Sequence, residues 1–278
     1  MIRVVLLCLT VSIAIFANMQ VVVSIAPEEY FAKAVSGYLD ATVMVTPGSS
    51  PHTYEPKPSQ MKKIAKADLY LAIGVEFESV WLNRFADLNP GMKIVDISEN
   101  IARIPIAGAK GAKKGKLDPH IWTSPSNVKI IATNIADAFM DADPKNEKRY
   151  RENLNRFLKS VDELDAKIRE KLSRIPEGST FMVFHPAWGY FAREYGLKQL
   201  PVEIEGKEPK PKELAKLIDK ARKKGVKAII VQPEFSDKSA RLIAGELKIP
   251  VVKISPLEAD WYDTLLRLAE CISKDRAE

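Results

Sequence analysis

Histidine is scarce in this 278-residue chain, and each of its three copies sits against a proline: Pro51-His52, Pro119-His120 and His185-Pro186. Imidazole nitrogen suits borderline divalent ions, so three imidazoles brought together would make a site for such a metal, most readily zinc. They lie far apart along the chain, so joint coordination requires the tertiary fold to gather them. Taken singly, each would pass for a surface or satisfied core residue; the shared proline context argues that they were placed as a set. A three-histidine zinc hydrolase is the competing chemistry, since metal-bound water can attack an ester or amide. That reading needs a general base beside the water. No His-Glu-x-x-His helix and no nucleophile elbow is present, which leaves Glu55, close to His52, as the best candidate base.

The elements that must position these residues follow from hydrophobic periodicity. His185 ends the apolar run 180–185, and a helical pattern begins near Ala187 after Pro186. His52 lies in the loop 47–56, after a strand-like run at 41–46. His120 lies at 117–122, just before a helix that Ser124 would cap and Pro125 would start. All three are loop or strand-end positions, and ligands of open α/β sheets bind outside the carboxyl ends of the strands. Residues 20–25, 41–46, 68–73 and 93–97 read as buried parallel strands with helices between them. A second set begins at Thr180 and continues through 198–202, 228–232 and 251–254.

Between the two sets, residues 145–174 form the longest periodic segment. Tyr150, Leu154, Phe157, Val161, Leu164, Ile168 and Leu172 make one apolar stripe, on a helix about 45 Å long. A coiled-coil seam would give the same stripe, but a helix joining two lobes accounts better for the flanking strands. The expected fold is therefore α/β, with two βα lobes, each built on a parallel four-stranded sheet, joined by one long backbone helix, and with the metal site in the cleft between them. The expected divisions are a signal peptide at 1–17, an N-terminal lobe at 18–143, the linking helix at 144–175 and a C-terminal lobe at 176–278.

With 46% hydrophobic and 28% charged residues, the chain can bury two cores of ordinary size, and it is neither disordered nor a multi-span membrane protein. Met1 to Ala17 has the small basic start, apolar run and small residue of an export leader. Cys8 falls inside that run without the residues of a lipidation site, so Cys271 alone would remain and no internal disulfide is expected. The net charge of +6 raises nucleic acid as a partner. Lys110, Lys113, Lys114 and Lys116 alternate with glycine and alanine, without aromatics for base stacking, and read as a solvated loop instead. Trp122, Trp188 and Tyr190 read as core packing. Pro211 is placed to start the helix 214–222, and Glu203, Glu205 and Glu208 before it read as solvent-exposed rather than as ligands.

Pro51-His-Thr-Tyr-Glu-Pro56 with Ser59 and the 67–71 strand, Asp118-Pro-His-Ile-Trp122, Phe184-His-Pro-Ala-Trp-Gly-Tyr-Phe191 and Gln232-Pro-Glu-Phe-Ser236 resemble, in order and over the whole mature chain, the solute-binding proteins of zinc and manganese ABC transporters. The resemblance implies that His52, His120 and His185 are metal ligands, that the lobes move little on binding, and that a monomer outside the cytoplasm hands its ion to a membrane ABC permease. Some relatives also serve as surface adhesins. One departure stands out: many relatives carry an aspartate just before Pro-Leu, where this chain reads Ser255-Pro256-Leu257. Asp260 is then the expected fourth ligand, with Glu258, Ser255 or water as alternatives. A missing carboxylate tilts the cargo toward Zn(II) over manganese, which favours hard oxygen donors; manganese or iron remains the alternative.

Overall fold

The computed structural model describes residues 19–108, 116–204 and 206–274. The expected leader, Cys8, Lys110, Lys113, Lys114 and Glu205 lie outside them. Among the described residues two sheets form, each of four parallel strands. The first contains Val21–Val23 (β1), Thr42–Val43 (β2), Leu69–Ala72 (β3) and Lys93–Asp96 (β4) in the order β2-β1-β3-β4. The second contains Thr180–Val183 (β5), Lys198–Pro201 (β6), Ile229–Val231 (β7) and Val251–Lys253 (β8) in the order β6-β5-β7-β8. Both lobes thus repeat one winding. Strands β1, β3 and β7 are buried along their whole length, as continuous Val, Ile and Leu runs in a doubly covered parallel sheet should be.

The helices are Ala26–Ser36 (α1), Pro58–Ile64 (α2), Glu76–Leu88 (α3), Pro125–Ala142 (α4), Glu147–Leu172 (α5), Gly189–Glu194 (α6), Pro211–Lys223 (α7), Lys238–Leu247 (α8) and Trp261–Ser273 (α9). Proline opens α2, α4 and α7, where its missing N–H costs nothing because the first-turn donors have no intrahelical partner. Ser124 caps α4 by accepting from the Asn127 N–H at 3.2 Å. The expectation of a buried strand at 93–97 needs correcting: in β4 Lys93, Ile94 and Asp96 are exposed. This strand ends its sheet and has one neighbour, and Lys93 reaches out to Asp141 of α4 at 2.8 Å.

Helix α5 runs 26 residues, about 39 Å. Six of its seven predicted stripe residues are buried and Leu154 is partly so; Asn153 joins the same face. Asn153 donates to the Val35 carbonyl at 2.9 Å, so its amide is satisfied where apolar patterning alone would not place it. The stripe packs on α1 and α4 of the first lobe and on α9 of the second, which covers the surface a coiled coil would have used. One apolar core therefore passes from β1 and β3 through α4 and α5 to Trp188, Ile254 and Trp261, and a smaller one lies under α7 and α8. Two cores thus form, as the composition allowed, and the larger one runs through both lobes. Trp122, Trp188 and Tyr190 are buried in or against it, as their size suggested. Trp122 also ties the lobes together, donating from Nε1 to the Pro256 carbonyl at 2.8 Å while its own carbonyl accepts from Trp261 Nε1 at 2.7 Å.

Truncating the buried face of α5 near its C-terminal end, Ile168→Ala, is expected to lower unfolding free energy by about 2–5 kcal/mol, while Lys159→Ala on the exposed face changes it by no more than about 0.5 kcal/mol. Urea unfolding of both variants checks this. Equal effects would mean the seam is not what holds the lobes.

Candidate metal centre

The two sheets present their carboxyl ends to each other, and the site is built from the loops that leave those ends. His52 follows β2, His120 precedes α4 on the connection from β4, and His185 follows β5 after one residue. One ring nitrogen from each histidine lies within 4.8 Å of those of the other two. The Nε2 atoms of His52 and His185 are 3.4 Å apart, close to the separation of about 3.3 Å that two nitrogens 2.0–2.1 Å from a tetrahedral zinc would have. His120 and His185 are buried, whereas His52 keeps about a third of its side chain open to solvent.

Each imidazole is held from behind by a carboxylate on its other nitrogen. Asp118 Oδ1 lies 2.7 Å from His120 Nδ1, Glu203 Oε1 lies 3.0 Å from His185 Nδ1, and Glu76 Oε2 lies 3.1 Å from His52 Nδ1. A carboxylate on Nδ1 fixes the proton there and leaves Nε2 as a free donor. The contact is a formed hydrogen bond at His120, which leaves its Nε2 lone pair for an ion; at His185 the Glu203 oxygen is close, but the buried Nδ1 makes no hydrogen bond. Asp118 is wholly buried and also accepts from the His120 backbone N–H at 2.9 Å. It fits because α6 opens with glycine: a Cβ on Gly189 would come within 2.5 Å of Asp118 Oδ2. Phe235 stacks on His185 with centroids 4.8 Å apart and an interplanar angle of 20°, holding the ring's plane.

At His185 the electrostatics favour the neutral imidazole. Burial lowers the pKa of His185, more than the nearby Glu203 raises it, with the charges of His120 and His52 adding to the depression. Burial pushes the Glu76 carboxyl up, but hydrogen bonds and charges from His52 and Lys116 outweigh that and hold it far below the usual carboxylate range. Between the three histidines, Trp122, Phe235 and Leu257 lies a chamber of about 20 Å³, near the size of a single water. It opens toward a groove of about 440 Å³.

Asp260 does not join this cluster. It is exposed and caps α9, its carboxylate accepting from the Asp263 N–H at 3.0 Å, so the local geometry of a helix start has claimed the group. Glu258 is bound to Arg267 at 2.6 Å and to the Ser255 N–H. Ser255 is buried, its hydroxyl bonded to Glu234 Oε1 at 2.7 Å. Glu55, the candidate base, is exposed and absent from the lining of either cavity. The reading of Glu203 as solvent-exposed is corrected: it is buried against His185. Glu208 is exposed and bonds the Ser239 hydroxyl. Sequence reasoning missed Asp118, Glu76 and Glu203 as supports. Only Asp118 carried a local signal, two residues before His120 with a proline between.

A family model described as zinc-uptake complex component A, periplasmic (ZnuA), matches residues 21–273. Two curated relatives are the iron-binding protein YfeA of Yersinia pestis, 30% identical over 220 residues that cover 77% of this chain and 70% of its own, and the manganese ABC transporter substrate-binding lipoprotein PsaA of Streptococcus anginosus, 29% identical over 222 residues that cover 77% and 71%. A crystal structure of ZnuA aligns with a TM-score of 0.87 at 37% identity, covering 94% of this chain and 100% of that one.

Because the rear carboxylates orient the imidazoles, Asp118→Asn and Glu203→Gln are each expected to weaken zinc binding roughly 10–100-fold with unchanged circular dichroism. His120→Ala, which removes a donor outright, should weaken it further. Competition against a chelator reads all three; wild-type affinity in either carboxylate variant would remove that residue from the site.

Proposed function

Because the chain belongs to the periplasmic zinc-uptake component A (ZnuA) family over residues 21–273, we propose that it is the extracytoplasmic receptor that captures Zn(II) on His52, His120 and His185 and hands it to a membrane ABC permease. The observation that carries this is the set of three convergent imidazoles, each braced on Nδ1 by its own carboxylate. A nitrogen-rich donor set of this kind favours a borderline cation over harder ions. Relatives named for iron and for manganese mean that the family alone does not choose the ion; the nitrogen-rich donor set supports zinc. In this reading zinc is cargo, bound at the carboxyl ends of both sheets and released from the same loops.

A carrier also accounts for the site better than a hydrolase does. The carboxylates at 76, 118 and 203 are occupied with histidine Nδ1 atoms, and Glu55 points to solvent rather than to a metal-bound water. The family is periplasmic by description, which agrees with export through the leader expected at 1–17.

Elemental analysis of protein purified without a metal-affinity tag tests the ion directly, with one zinc per chain expected. A thousandfold excess of free zinc over the dissociation constant should stabilise the fold by about 4 kcal/mol. The melting temperature therefore rises with zinc and falls back with chelator. Acid reverses the gain, because imidazoles must be neutral to ligate. The sign for the metal-free protein is the same: with the folded pKa of His185 depressed, the unfolded chain takes up the proton first. His185's contribution is then present above about pH 6.5 and is lost as pH falls through the lower folded value. A melting curve indifferent to zinc at pH 7.5 would contradict the reading.

A further inference from the structure

Three imidazoles occupy three corners of a tetrahedron, and a zinc ion held by them takes one more donor. Of the carboxylates at the cleft, Glu76, Asp118 and Glu203 are spent on the histidine Nδ1 atoms. Glu234 is not. It leaves the carboxyl end of β7, one residue before the Phe235 that stacks on His185, and it lines the inner chamber together with all three histidines. It also lines the outer groove beside His52 and His185, so it borders both cavities.

Its present partner is weak for a half-buried carboxylate. The Ser255 hydroxyl donates to Oε1 at 2.7 Å, and burial raises the carboxyl's pKa with the Ser255 bond and its own backbone N–H opposing. Among the described residues no Lys or Arg is paired with it, whereas Glu258 next to it is neutralised by Arg267. A half-buried carboxylate without a cation at the mouth of a three-histidine cluster is stabilised by the arrival of a divalent ion.

We propose that Glu234 is the fourth ligand: on loading, its carboxylate turns from Ser255 onto the ion held by His52, His120 and His185, an assignment that rests on the three-histidine reading of the site. Ser255 then acts as the resting partner of the carboxylate in the empty protein and never ligates. The exchange is one of bonds only: the Ser255 hydroxyl loses an acceptor and the ion gains an oxygen donor. Because that donor is a hard anion added to three nitrogens, Glu234 contributes proportionally more to manganese than to zinc. Glu234 thereby takes the place that sequence reasoning gave to Asp260.

The test compares wild type, Glu234→Gln and Ser255→Ala as full chains, using zinc and manganese in chelator competition and the visible absorption of the cobalt(II) forms. Glu234→Gln is expected to weaken zinc at least roughly tenfold, to weaken manganese by a larger factor, and to alter the cobalt spectrum as carboxylate oxygen leaves the donor set. Ser255→Ala should keep the wild-type cobalt spectrum. Wild-type zinc affinity together with an unchanged cobalt spectrum in Glu234→Gln overturns the assignment while leaving the histidine site intact. So does an altered cobalt spectrum in Ser255→Ala matched by none in Glu234→Gln, which would make the serine the ligand. Failure of the wild type itself to bind zinc or cobalt would instead sink the three-histidine reading.

Discussion

A metal site whose donors come from two different sheets is only as well defined as the packing that fixes one sheet against the other. Here that packing is the apolar seam of α5, which lies on α1 and α4 on one side and on α9 on the other. The seam keeps the carboxyl ends of both sheets face to face, and the His52 to His185 separation of 3.4 Å spans the gap between them. Coordination tolerates errors of only about 0.2 Å, so the ligand loops need a base that does not drift. The shared core supplies it: separating the lobes would expose Trp122 and Trp261, which are almost fully buried, at roughly 25 cal/mol per Å² of apolar surface. Wide hinge opening is disfavoured on those grounds, and local movement of loop side chains is the cheaper way to admit and release an ion.

The second requirement is that three imidazoles stand close together before any ion arrives. Protonated rings would repel one another at these distances, so the site depends on neutral histidine. Burial depresses His185, Asp118 fixes the His120 Nδ1 proton away from the centre, and Glu203 and Glu76 stand about 3 Å behind the other two rings. These carboxylates have a cost of their own, since Asp118 is wholly buried and a buried charge is unfavourable unless bonded. Two donors from His120, ring and backbone, offset it in part, both on Oδ1, while the buried Oδ2 has no donor. The negative charge gathered behind the rings also suits a divalent cation in front of them, so the loaded state is electrostatically closer to balance than the empty one. A glycine at 189 is part of the same arrangement, because any side chain there would occupy the space of the Asp118 carboxylate.

Much of this was legible in the sequence, for physical reasons that differ by element. The strands could be read because a parallel sheet buried on both faces demands unbroken apolar runs, and α5 because its stripe follows the 3.6-residue period of a helix. The histidines could be read because they are rare and share proline neighbours, and the proline helix starts because the ring removes a donor that a first turn does not use. What local pattern could not show is exposure at a sheet's end, which is why β4 was expected to be buried, or that the larger of the two cores runs through both lobes.

The sequence by itself determined the elements, their order and which three histidines the fold gathers, since periodicity, capping and residue chemistry are properties of neighbours along the chain. Only the tertiary structure decided which acids matter. Glu203 and Glu76 serve His185 and His52 through pairings between distant loops, while Asp260, nearer the expected fourth-ligand position in sequence, is consumed by the cap of α9. A carboxylate reads the same in every sequence context. Its role is set by which donors the fold brings within 3 Å of it, and that depends on where separate loops come to rest.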